Sequence, residues 1–66
     1  MKINSKKIRN LMNINFMTQL ALAESAGVSR ATINSALLKS SCSIKTVNSI
    51  ADALAVEPAE LIEEEL

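Results

Sequence analysis

Apolar residues recur along this chain at three- and four-residue intervals, and short polar breaks divide them into helix-sized blocks. Ile8, Leu11 and Met12 stand at i, i+3 and i+4, the spacing of one helix face, and predict a first helix from Ser5 to about Met12. Asn10, Asn13 and Asn15 crowd its exit, where asparagine competes for backbone hydrogen bonds and ends helices. Phe16 and Met17 follow in the connection and are expected to turn inward. Thr18 is placed to cap a second helix that begins at Gln19, with Leu22, Ala23 and Ala26 as its buried stripe.

Gly27 is the only glycine of the chain and interrupts the pattern at that point. A residue without Cβ tolerates positive φ, so a lone glycine between two helical runs reads as a tight turn. Ser29 comes two residues later and can cap a third helix from Arg30 to about Leu38, burying Ile33, Ala36 and Leu37. Its opening residues Arg30, Ala31 and Thr32, with Asn34 and Ser35 one turn on, are left facing outward. Residues 19–38 thus read as a helix-turn-helix unit.

A polar run Ser40-Ser41-Cys42-Ser43 leads into a fourth helix from Ile44 to about Ala53, capped by Ser43. Ile44, Val47, Ile50, Ala51 and Leu54 form its apolar face. A fifth, acidic helix is predicted over about 58–65. Pro58 suits a first helical turn, and Val56 and Leu61 have the spacing of a hydrophobic staple. Glu63, Glu64 and Glu65 lie at the negative end of that helix dipole, where fraying is expected. The fold class is all-α: five short helices in a single domain spanning 1–66, with no strand signal and no repeat.

Composition narrows the function. A single cysteine, Cys42, rules out an internal disulfide, and with no histidine there is no expected metal site. An unpaired thiol suits a reducing compartment, and no apolar run is long enough to span a bilayer, so a soluble, cytoplasmic protein is expected. The chain lacks His, Trp and Tyr and has no phosphate-cradling glycine loop, and Ser29 and Thr32 have no base nearby in sequence. Enzymatic activity and a cofactor are therefore not expected.

The net charge of zero hides two unlike halves. Residues 1–45 hold all seven basic residues and one acid, for +6; residues 46–66 hold six acids and no base, for −6. Such asymmetry suggests one pole for a polyanion and another facing away from it.

Gln19, Leu22, Ala23, Gly27, Val28, Ser29 and Ile33, followed by SIKTVNSIADALAVEPAELI, resemble the lambda-repressor/Cro (XRE-like) helix-turn-helix family. The resemblance runs from about Ile8 to Ile62. It implies a five-helix domain that inserts the start of its third helix into the major groove of a double-stranded DNA operator. It also assigns roles. Gln19 matches the family's phosphate-contacting glutamine, and Arg30, Ala31, Thr32, Asn34 and Ser35 match the positions that face the groove, with the capping Ser29 counted among the DNA-binding residues. Residues Lys39 to Lys45 match the loop that follows the phosphate backbone, with Lys39, Ser43 and Lys45 as its DNA-binding residues. Chemistry agrees, since an arginine such as Arg30 can make two hydrogen bonds to a guanine edge.

The chain departs from that family at several positions. Met12 and Leu37 stand where many relatives pair an arginine with a glutamate, which implies an apolar contact in place of an ion pair. Phe16 and Ala55 stand where relatives often have glycine, with Asn15 expected to take over the first of those turns. The recognition face offers one arginine, one asparagine, two hydroxyls and an alanine methyl, so a modest monomeric binder is expected. The resemblance accordingly points to a small phage or prophage regulator, a Cro-like repressor working as a homodimer on DNA. The alternative is an antirepressor or antitoxin-like module on the same fold, with a repressor or toxin as its partner. Leu37 and Leu38 back to back, and an acidic end that imitates DNA charge, favour that alternative.

Overall fold

The computed structural model describes residues 1–63 and consists of four α-helices and one 3-10 turn. They are α1 (Ser5–Ile14), α2 (Gln19–Ala26), α3 (Arg30–Lys39), α4 (Ile44–Leu54) and the 3-10 turn Pro58–Glu60. The all-α architecture matches the periodicity, but the fifth helix is a single turn rather than a helix over 58–65.

Each helix begins where a short polar side chain can accept from its free N–H groups. Asn4 accepts from Lys7 N, Thr18 from Ala21 N, Ser29 from Thr32 N and Ser43 from Thr46 N. A cap of this kind stabilises a helix by typically about 1 kcal/mol, which matters in so small a domain. Glu57 and Glu60 form a reciprocal capping box on the 3-10 turn, with Pro58 in its first position.

Left-handed residues close three of the helices. Gly27 (φ 72°) ends α2, Ser40 (φ 51°) ends α3 and Ala55 (φ 58°) ends α4. After α1 the left-handed residue is Phe16 (φ 54°) rather than Asn15, whose φ is −92°. Asn15 instead donates its side-chain amide to Leu11 O at 2.7 Å.

One core joins all the elements. Ile8 and Met12 of α1, Leu22 and Ala23 of α2, and Ile33, Ala36 and Leu37 of α3 are buried in it. Val47, Ile50, Ala51 and Leu54 of α4 join them, with Ile3 and Leu61 from the two ends of the described chain. Burying a side chain the size of Leu or Ile contributes about 1.5–3 kcal/mol. Helix α2 packs against both α3 and α4, and α1 meets α3. Met12 and Leu37 both belong to this core, which places apolar surface where a charged pair would otherwise need compensation.

Besides the Asn15 turn, three expectations require correction. Phe16 does not turn inward: its side chain is 95% exposed, because its left-handed backbone points it out of the α1–α2 corner, while Met17 packs on the core instead. Ile44 is 50% exposed, being the first residue of α4 and one turn short of the buried stripe that starts at Val47.

The acidic helix is cut short because the chain after Leu61 turns back to the N-terminal segment. Ile62 forms an antiparallel bridge with Ile3, and Glu63 N–H donates to Lys2 O at 3.0 Å. Backbone groups committed to that pairing cannot extend a helix. Glu64 and Glu65, where fraying is expected, lie outside the described residues.

Candidate nucleic-acid interface

The turn between α2 and α3 is built by three consecutive residues. Gly27 N–H bonds to Glu24 O at 3.3 Å, Val28 N–H reaches Ala23 O at 3.0 Å, and Ser29 then caps α3. A Cβ at Gly27 would meet nothing within 4 Å, so the glycine is favoured by its backbone angle and not by crowding. Ser29 Oγ accepts from Thr32 N at 3.1 Å and shares a hydroxyl contact of 2.8 Å with Thr32 Oγ1. Those two hydroxyls therefore shape the start of α3.

From this start α3 divides cleanly. Ile33, Ala36 and Leu37 are buried, whereas Arg30, Ala31 and Asn34 are exposed and Thr32 and Ser35 half-buried. Leu38 lies on the exposed side at 71%, so the paired leucines split between core and solvent.

Beside α3 runs a shallow groove of about 400 Å³, whose other wall is the Ser41–Ser43 loop and the first turn of α4. Ala31, Thr32, Ser35 and Lys39 line it from α3, and Ser43 faces them from the loop. Gln19, Ser29, Arg30, Asn34 and Lys45 lie outside this lining; Gln19 is half-buried at the start of α2, and the other four are exposed. Ser41 and Cys42, within the expected Lys39–Lys45 loop, also line the groove, as does Thr46, which the sequence reading does not include. A signal for Thr46 was present: Ser-x-x-Thr occurs at 29–32 and again at 43–46, and both pairs form the same cap and hydroxyl contact.

The electrostatics are less polar than the linear charge count suggests. Lys2 Nζ lies 3.8 Å from Glu63 Oε1, and Lys7 Nζ lies 3.9 Å from Glu60 Oε1. The acidic end thus folds back onto the basic first segment and offsets part of its charge. Among the described residues Arg30, Lys39 and Lys45 form no ion pair and remain available to an anion. Burial pushes the Cys42 thiol above its ordinary value, partly opposed by the N-terminal ammonium. Among the described residues no group of three His, Cys, Asp or Glu side chains could hold a metal ion, and no helix is long and apolar enough to cross a membrane.

A capped helix with an exposed basic start thus follows a tight glycine turn, and a known family shares the sequence pattern behind it. The Cro/C1-type helix-turn-helix DNA-binding domain matches residues 7–65. The chain belongs to that family.

Solved structures with the same fold include PhpD with cadmium atoms, at 27% identity and a TM-score of 0.80 over 100% of this chain. A point mutant of hydroxyethylphosphonate dioxygenase is similar at 26% identity and a TM-score of 0.82, also over 100% of this chain. In each case the chain spans only 14% of the length of the protein it resembles. No curated protein matches the chain. As a Cro/C1-type domain, the chain carries a DNA-binding helix-turn-helix whose second helix is α3.

Proposed function

We propose that this chain is a sequence-specific transcriptional regulator, a Cro-like repressor of the phage or prophage type that acts in the cytoplasm. The observation that carries the proposal is the outward start of α3, with Arg30, Ala31 and Asn34 exposed at a capped helix N-terminus, in a chain of the Cro/C1 family. In this reading α3 enters the operator major groove and Arg30 and Asn34 read base edges, since arginine and asparagine make bidentate contacts to guanine and adenine. Gln19 and Ser29, with Lys39, Ser43 and Lys45, hold phosphates on either side and set the register without reading sequence. Ala31, Thr32 and Ser35 line the rest of the contact face. Arg30, Lys39 and Lys45 are a small cationic complement, so a homodimer on two half-sites supplies the remaining affinity. The chain acts by binding, with no catalytic step of its own.

A second reading has one observation in its favour. Leu38 is exposed beside the same face. An antirepressor or antitoxin-like module would use that surface to grip a partner protein. Titration of the chain against random duplex DNA at two salt concentrations separates the two. Binding that weakens steeply with salt supports DNA regulation, and selection from random duplexes then yields the operator. Absence of any complex at low salt, with a repressor co-eluting instead, overturns it.

A further inference from the structure

The loop that follows α3 has no fully buried side chain of its own: Ser41 and Ser43 are exposed, and Ser40 and Cys42 are half-buried. Its path is held by the first residues of the chain. Ile3 N–H donates to Ser40 O at 2.9 Å, and Cys42 N–H donates to Met1 O at 3.0 Å. Ser5 Oγ lies 2.9 Å from Leu37 O and 2.8 Å from Ser40 Oγ. A carbonyl oxygen can only accept, so the Ser5 proton goes to Leu37 O, and Ser40 must donate its own proton to Ser5 Oγ. The two hydroxyls form a directed relay across 35 positions of sequence, ending on the last turn of α3.

We propose that Ser5 and Ser40 are positioning residues for DNA binding. Their hydroxyl pair, with the Met1–Ile3 backbone, braces the Ser40–Cys42 loop so that Lys39, Ser43 and Lys45 reach the phosphate backbone together. The inference rests on the DNA-binding reading and adds a function for the N-terminal segment. Two cations and a hydroxyl separated by a loop contact one phosphate run only if the loop holds a single path. Within the loop, Ser40 N–H and Ser41 N–H both bond to Ala36 O, and Ser43 caps α4; these fix the two ends of the loop, and the path between them is held by the N-terminal segment.

The experiment is a salt titration of the full chain on random duplex, compared with Ser5→Ala, Ser5→Thr, Ser40→Gly and Val47→Ala, all well below their melting temperatures. Ser40→Gly is the informative variant. It removes the tether to Ser5 but suits a backbone at φ 51°, so its melting temperature is not lowered. The brace predicts that Ser40→Gly and Ser5→Ala each lower the slope of log K against log salt by about 1, as when one phosphate is no longer neutralised, with a several-fold drop in affinity at low salt. Ser5→Thr keeps the hydroxyl and restores the slope. Val47→Ala lowers the melting temperature and leaves the slope unchanged. If the unaltered chain binds duplex and Ser40→Gly matches it in slope and affinity, the brace is overturned while the DNA reading stands. If the unaltered chain shows no binding at low salt, both fail.

Discussion

Gly27 and Ala55 close α2 and α4 with the same left-handed backbone, φ 72° and φ 58°, yet only one of them is a glycine. The left-handed region costs an L-residue with a Cβ roughly 1–2 kcal/mol, so Ala55 holds strain that Gly27 avoids. Ala55 is exposed and contributes no burial in return. Ala55→Gly should therefore stabilise the domain by up to about 1 kcal/mol, after allowance for the greater freedom of glycine in the unfolded chain. Gly27→Ala should destabilise it by about 1 kcal/mol, through the backbone alone. Thermal unfolding by circular dichroism checks both, since about 1 kcal/mol moves the midpoint of a domain this size by roughly 4–8 °C.

Leu37 and Leu38 are adjacent in sequence and opposite in environment, one within the core and one 71% exposed. Leu37→Ala removes buried methyl groups and leaves a cavity, a loss of about 2–5 kcal/mol. A core this small supplies only about 3–5 kcal/mol net, so the variant should be largely unfolded at room temperature. Leu38→Ala should stay within about 0.5 kcal/mol of the parent. Urea titration distinguishes the two, and a Leu38→Ala variant as unstable as Leu37→Ala would contradict the placement of α3.

Arg30 and Lys45 should fail in different ways on DNA. Arg30→Ala is expected to cost about 1–3 kcal/mol on the preferred operator and to flatten the preference among bases. Lys45→Ala is expected to weaken all duplexes alike and reduce the salt slope by about 1. Binding of each variant to the selected operator and to random duplex measures both effects. Equal losses on the two DNAs for Arg30→Ala would remove it from base readout.

The Cys42 thiol, pushed up by burial, should alkylate more slowly in the folded chain than in urea at the same alkaline pH. The sign for stability follows from the same shift. The folded state holds the proton to higher pH than the unfolded state, so this stabilisation is complete below the ordinary thiol value and is lost as pH rises through the folded one. Iodoacetamide labelling followed by mass spectrometry tests the rate. Equal rates in buffer and urea would place the thiol fully in solvent.

Much of the fold was legible because its signals are short-range. Thr18, Ser29 and Ser43 each sit three residues before the N–H they cap, and Gly27 announces its own turn. The buried stripe of α3 follows from helical period alone. Phe16 escapes such reasoning because apolar character says nothing of backbone: a left-handed corner residue points where the corner dictates. Of the candidate site, the outward face of α3 and the loop after it were readable, but the groove between them was not, since Thr46 joins it from α4.

What the chain determines by itself is therefore the first four helices, most of their caps and the main buried stripe of each, all set by interactions within about four residues. Only the tertiary structure decides where the two ends of the chain go. It sends Met1–Ile3 between the loop at Ser40–Cys42 and the segment at Leu61–Glu63, which ends the acidic helix after one turn. It also sets Glu60 and Glu63 against Lys7 and Lys2. Those pairings join residues far apart in sequence through backbone groups that every residue carries, so no local pattern marks them.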